Sequence, residues 1–184
     1  MRLILVRHPK PRGAKGLCYG RLDLECEAQA LDEAALRLGK LSAGHRLVTS
    51  PARRAKDLAA RLSSDAAIEP RLQELDFGDW EGRLWQDLGR DAIEAWSLGL
   101  PHAAPPNGEP LTSMANRCAE WLAGLEPEGP PVLAVTHAGP IRVIRALLAG
   151  EPLLTYFKTA IPFAEPAGFE IEAPPQLHSD HSKC

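Results

Sequence analysis

Met1-Arg-Leu-Ile-Leu-Val-Arg-His8 opens the chain, and its reading decides the fold. Leu3 to Val6 form an unbroken apolar run. That is the pattern of a strand buried on both faces, as in a parallel sheet covered by helices on each side. The run stops on Arg7-His8, and Pro9 and Pro11 forbid its continuing as a regular interior strand. In open α/β sheets, ligands sit just beyond the carboxyl ends of the strands. An arginine and a histidine expelled there are badly placed for a core and well placed for a site. Taken alone, the pair also suits ordinary polar residues at a strand end.

A second stretch repeats the grammar. Pro130-Pro131 introduces the apolar run Val132 to Val135, which ends on Thr136-His137-Ala138-Gly139 before a helix opened by Pro140. If the two strands are parallel neighbours, His8 and His137 reach one rim. Between them the sequence alternates strands and helices, which reads as an α/β domain. A helix is predicted over 27–41, a strand at Arg46–Thr49, and a helix to about Leu62 in which Ser50 is the N-cap and Pro51 the first helical residue. A third strand is expected at Ala66–Glu69. Helices are expected over 83–98, 111–125 and 152–158, and a last strand over 167–172. The predicted architecture is three-layered, with a mostly parallel sheet, helices on both faces, and a helical insertion of about 75–125 over the carboxyl edge of the strands. One domain is expected over 1–172, followed by a frayed, Pro-rich tail at 173–184.

Composition narrows the function. A net charge of -3 argues against a general nucleic-acid binder, which needs a basic face. Six of the first 21 residues are basic and the first acid is Asp23, a local bias that attracts a small anion. Cys18, Cys26, Cys118 and Cys184 form no C-x-x-C pair and no zinc-spaced cluster with histidine. Free thiols in a reducing cytoplasm are therefore expected, with no metal site. The apolar runs are too short for a membrane span.

Further candidates for chemistry lie where strands give way to helices or loops. Ser50-Pro51-Ala52-Arg53-Arg54 starts a helix, where free N–H groups and the dipole favour anions, and arginine suits bidentate phosphate binding. Spacing alone leaves Arg53 and Arg54 as alternatives. The irregular run 72–82 mixes acids, aromatics and glycines. In it Glu74 lies beside Leu75 and Phe77, where a partly buried carboxyl can hold a proton for general-acid work. Asp76, Asp79 and Glu81 compete with it, and Glu81 also reads as a first-turn helix residue.

Together these residues resemble the histidine phosphatase superfamily, the phosphoglycerate-mutase-like fold. Leu5-Val6-Arg7-His8 looks like its Arg-His motif, and Ser50-Pro51-Ala52-Arg53-Arg54-Ala55 like its Ser-Pro-x-x-Arg-Ala motif, which selects Arg54. Glu74 with Phe77-Gly78-Asp79-Trp80-Glu81-Gly82 resembles the acid segment, and Val135 to Arg142 the second-histidine motif. The loop Cys18-Tyr19-Gly20-Arg21 followed by Asp23 is similar to the α-ribazole-5′-phosphate phosphatases of cobalamin biosynthesis, which also act on adenosylcobalamin-5′-phosphate.

The resemblance implies phosphomonoester hydrolysis through a phosphohistidine, with no metal or cofactor. It makes His8 the nucleophile, Glu74 the general acid and base, and Arg7, Arg54, His137 and Ala138 the phosphate cradle. Tyr19 and Arg21 would meet the rest of the phosphorylated small molecule. Pro9 departs from the family's glycine and removes one N–H, while Ala138 stands where glycine is common. Other readings are a broad-specificity phosphatase, a phosphoglycerate-mutase-like enzyme, or a non-catalytic phospholigand module. A 2H phosphoesterase does not fit, because neither His8 nor His137 begins a His-x-Ser/Thr pair.

Overall fold

The computed structural model describes residues 1–172, so the tail expected over 173–184 lies outside the described residues. Five strands form one sheet in the order β3-β2-β4-β1-β5: β1 Arg2–Arg7, β2 Arg46–Thr49, β3 Ala67–Ile68, β4 Val132–Thr136 and β5 Pro166–Glu170. β1, β4, β2 and β3 are parallel, and β5 runs antiparallel along the edge of β1. The α/β expectation therefore holds, and β1 and β4 are neighbours.

Alternate side chains of β1 serve two cores. Ile4 and Val6 pack with Leu31, Leu38 and Leu58 of α1 (Ala28–Ser42) and α2 (Arg53–Leu62). Leu3 and Leu5 belong to the opposite core. With them are Met114, Cys118 and Leu122 of α4 (Leu111–Ala123) and Ile141 and Ile144 of α5 (Ala138–Ala149). Each fully buried aliphatic side chain contributes roughly 1.5–3 kcal/mol. Two such layers clamp the sheet between both helix pairs.

Several sequence expectations are corrected. The helix predicted over 83–98 is a 3₁₀ turn, Trp85–Asp87, followed by α3 (Arg90–Leu98); Gly89 at φ 84° breaks any continuous helix between them. The segment 152–158 forms turns rather than a helix. It is too short to hold a helix by its own hydrogen bonds, and it buries Leu153 instead. α5 begins at Ala138, two residues before Pro140. α4 packs in the core that covers the sheet, while Phe77, Trp85 and Trp96 from the part of the insertion around 77–96 line a cavity shared with His8.

Candidate active site

Strand register assembles the site. Arg7 pairs with Thr136 and Thr49 with Val135, so His8, His137 and Ser50 leave three adjacent parallel strands side by side. The backbone continues the ladder one step: His8 N–H donates to Thr136 O at 3.0 Å and Ser50 N–H to Val135 O at 2.9 Å. The His8 and His137 rings meet edge to face with centroids 5.0 Å apart. His8, Ser50, Arg54 and His137 are all buried.

His8 is set up as a neutral base. Its Nδ1 lies 2.6 Å from Pro9 O, which can only accept, so the proton sits on Nδ1 and the lone pair on Nε2. Arg54 Nε–H donates to that Nε2 at 3.2 Å, which agrees with the same tautomer. Burial, then the charge of Arg54, lowers the His8 pKa to about 3, and Arg7 adds to the effect. Pro9 thus loses an N–H but keeps the carbonyl that orients the ring. The Cys26 thiol also donates to Pro9 O, at 3.2 Å. Burial pushes that thiol up to about 11, so it stays a donor.

Ser50 is not the N-cap of α2; Ala52 occupies that position. Ser50 Oγ accepts from Ala52 N–H at 3.3 Å and lies 2.7 Å from His137 Nε2. In the tautomer with the imidazole proton on Nδ1, the Ser50 hydroxyl donates to His137 Nε2. That Nδ1 is buried with no partner among the described residues, as is Arg7 Nε. Burial and the neighbouring positive groups hold His137 well below its ordinary pKa.

Arg54 carries its charge into the core with 0 % exposure. An unpaired buried ion costs several kcal/mol. Here the guanidinium is held by the carbonyls of Gly20 and Leu22 as well as by His8. Arg53 points outward instead, to Glu25 and Asp57. Arg7 donates to Ile161 O at 2.7 Å, and its guanidinium carbon lies 3.6 Å from the centroid of the Phe163 ring.

Glu74 approaches from the irregular segment. Its Oε2 accepts from Gly139 N–H at 3.2 Å and its Oε1 from Leu75 N–H at 3.0 Å. The carboxylate thus rests on the first turn of α5. Ala138 is the first residue of that helix, where N–H groups have no intrahelical acceptor.

Arg7, His8, Tyr19, Glu74, Ala138 and Gly139 line a cavity of about 410 Å³. Phe77, Trp85, Trp96 and Phe157 line it as well. Arg21 is not brought there. It lies 3.5 Å from Asp76 and 3.7 Å from Glu109, on the outside of the loop.

Sequence reasoning missed three contributors. Arg142 lines the cavity and donates to Thr159 O at 2.9 Å; its place in the second-histidine motif was the available signal. Glu81 is no first-turn helix residue: its carboxylate accepts backbone N–H bonds from Gly20, Arg21, Leu22 and Phe77, fastening the 18–23 loop to the acid segment. The Ile161–Phe163 stretch that seats Arg7 carries no periodic signal. Among the described residues no helix is long and apolar enough to cross a membrane.

Residues 3–173 match the family model of the histidine phosphatase superfamily (branch 1). The chain belongs to this superfamily. It is 32% identical over 165 residues to the adenosylcobalamin/alpha-ribazole phosphatase of Escherichia coli K12, covering 83% of this chain and 81% of that protein. Another relative is the glucosyl-3-phosphoglycerate phosphatase of Mycobacterium tuberculosis, 29% identical over 175 residues and covering 84% and 78% of the two chains. The crystal structure of the alpha-ribazole phosphatase from Shigella flexneri superposes with a TM-score of 0.79 at 29% identity, covering 93% of this chain and 91% of that one. These superfamily relatives are phosphatases, and so hydrolases.

Proposed function

We propose that this histidine phosphatase hydrolyses phosphomonoesters through a phosphohistidine on His8, and that its substrate is α-ribazole 5′-phosphate or the related adenosylcobalamin 5′-phosphate. The observation that carries the reading is the mixed lining of the cavity: Arg7, His8, Glu74 and Arg142 share it with the rings of Phe77, Trp85, Trp96 and Phe157. Such a cavity suits a phosphate joined to a flat apolar ring system.

In the first step His8 Nε2 attacks phosphorus in line, the ester P–O bond breaks, and Glu74 gives its proton to the leaving alkoxide. The Nδ1–H bond to Pro9 O takes up the positive charge that develops on the ring. Arg7, Arg54 and the His137 Nδ1–H donate to the equatorial oxygens, and Arg54 exchanges its 3.2 Å bond to His8 for one to phosphate. In the second step the Glu74 carboxylate takes a proton from water, hydroxide attacks phosphorus, and the Nε2–P bond breaks. Inorganic phosphate leaves and His8 returns neutral. Tyr19, whose ring centroid lies 5.4 Å from the Arg54 guanidinium carbon, meets the ester beyond the phosphate. The three described cysteines are free thiols, which suits a reducing compartment, and we place the enzyme in the cytoplasm.

A second reading, a phosphatase for small phosphorylated acids, is favoured by Arg142, a further cation on the cavity wall able to pair with a carboxylate. Steady-state hydrolysis of α-ribazole 5′-phosphate, phosphoserine and glucosyl-3-phosphoglycerate, compared side by side, decides between the two. The α-ribazole ester is expected to give the highest kcat/KM, and preference for either acid overturns that substrate. His8→Ala is expected to abolish turnover and acid-labile phosphate trapping while the far-ultraviolet spectrum is kept. Turnover at the wild-type rate in that variant removes His8 from the mechanism.

A further inference from the structure

One buried cation outside the cavity holds the segment that carries Glu74. Arg117, on α4, has a side chain only 15% exposed, and its partner Glu109 only 11%. Its Nε and one terminal nitrogen donate to the two carboxylate oxygens of Glu109, at 2.8 and 2.9 Å. The other terminal nitrogen donates to Arg71 O and Gln73 O, both at 2.6 Å, and the nitrogen that holds Glu109 also donates to Glu74 O at 3.3 Å. Those five bonds match all five donors of a guanidinium.

The held segment needs such an anchor. Residues 73–77 belong to no strand or helix, so the regular ladders that fix His8 and His137 do not fix Glu74. Other ties hold its flanks and its carboxylate: Thr136 Oγ1–H donates to Leu72 O at 2.7 Å, Phe77 N–H to Glu81 at 3.0 Å, and Gly139 N–H to Glu74 itself at 3.2 Å. Glu109 N–H donates to Asp76 O at 2.9 Å, Asp76 N–H reaches Glu109 Oε2 at 3.4 Å, and Arg21 sits near both acids. α4 itself is fixed by its packing in the core against α5. α4 reaches the backbone of the acid through Arg117, by the carbonyls on either side of Glu74. A lysine has no planar fork and cannot reproduce that set of contacts.

We propose that Arg117, seated by Glu109, is the positioning residue for Glu74, setting the distance from its carboxyl to the leaving-group oxygen; the inference rests on the phosphatase reading above. Arg117 touches no reacting atom. Its removal weakens the proton transfer and leaves the phosphate cradle of Arg7, Arg54 and His137 intact.

Leaving-group dependence tests this, with two esters assayed on wild type, Arg117→Met, Arg117→Lys and Glu109→Gln. p-Nitrophenolate leaves with little help from a proton, whereas the primary alkoxide of α-ribazole 5′-phosphate needs one. For Arg117→Met, kcat/KM on the alkyl ester is expected to fall roughly tenfold to a hundredfold, a part of what general acid catalysis supplies, while the aryl ester changes less than about threefold. Arg117→Lys and Glu109→Gln are expected to show the same asymmetry at smaller size, and they carry the test if Arg117→Met does not fold. In a Glu74→Gln background, Arg117→Lys is expected to add no further loss. Equal losses on both esters in a folded variant, or losses that multiply with Glu74→Gln, overturn the positioning role. Failure of the wild type on both esters overturns the phosphatase reading, and this role with it.

Discussion

Arg53 and Arg54 are adjacent in sequence and opposite in circumstance. Arg53 is a half-exposed partner of Glu25 and Asp57, and surface pairs of this kind contribute about 1 kcal/mol or less. Arg54 is buried against the nucleophile and the carbonyls of the 18–23 loop. Arg54→Ala is expected to lower kcat/KM by about 10²–10³, the loss typical of a transition-state donor, while Arg53→Ala stays within a few-fold. Parallel phosphatase assays of the two variants check this, and similar losses would assign the cradle to the wrong arginine. The residues legible from sequence share one property. His8, His137 and Arg54 each stand one to five residues beyond a strand end, where chemistry and topology coincide. Ser50 was legible as a position but not as a role, because its hydroxyl bonds His137, which lies 87 residues away in sequence. Arg21 misled because its charge fits a phosphorylated ligand as well as it fits Asp76 and Glu109.

At the scale of elements, two glycines separate packing from chemistry. Gly20 lies where the loop crosses the acid segment, and a Cβ there would fall well inside contact with Leu75 O, a backbone atom that cannot turn away. Gly139 lies in the first turn of α5, and a Cβ there would displace the Glu74 carboxylate, the end of a rotatable side chain, with Met114 Cε at 3.0 Å. Gly20→Ala is therefore expected to lose about 1–3 kcal/mol of stability, the usual cost of overpacking, along with activity. Gly139→Ala is expected to keep its melting temperature within a few degrees and lose hydrolysis of alkyl esters. Thermal melts set beside kcat/KM values distinguish the two, and a Gly139→Ala protein with full alkyl-ester activity would separate Glu74 from the α5 turn. Element type was legible where a pattern repeats, as in the apolar runs of β1 and β4. It failed at 83–89 and 152–158, where apolar residues recur but the chain is too short, or too interrupted by Gly89, to close a helix. The stripe Met114, Cys118, Trp121 and Leu122 announced a buried face on α4. It could not say that the face lies on the sheet layer rather than above it, since periodicity names a buried side and not its partner.

The whole molecule buries its two imidazoles just past the ends of two adjacent central strands, and that placement couples stability to pH. In the unfolded chain His8 takes up a proton as pH falls below about 6.5, whereas in the folded protein it stays neutral down to about 3. His137 shifts in the same direction. Between those two pH values the unfolded state binds more protons, so stability rises with pH across the window. The contribution of His8 is complete above pH 6.5 and is lost as pH falls toward 3. Its full size is roughly 5 kcal/mol, of which about 2 kcal/mol disappears between pH 6.5 and pH 5. The carboxylates of the chain titrate as well, so wild type alone does not isolate the histidine. His8→Gln removes the titrating group and keeps a side chain able to donate to Pro9 O. Urea unfolding at pH 7.5 and pH 5 is therefore expected to show a fall in stability about 2 kcal/mol larger for the wild type than for His8→Gln. Inorganic phosphate, which binds the folded cradle, is expected to raise wild-type stability by mass action and to do so less in His8→Gln. Identical pH dependence in the two proteins would mean that His8 is not held neutral by its burial beside Arg54. The nucleophile would then need another source for its free lone pair.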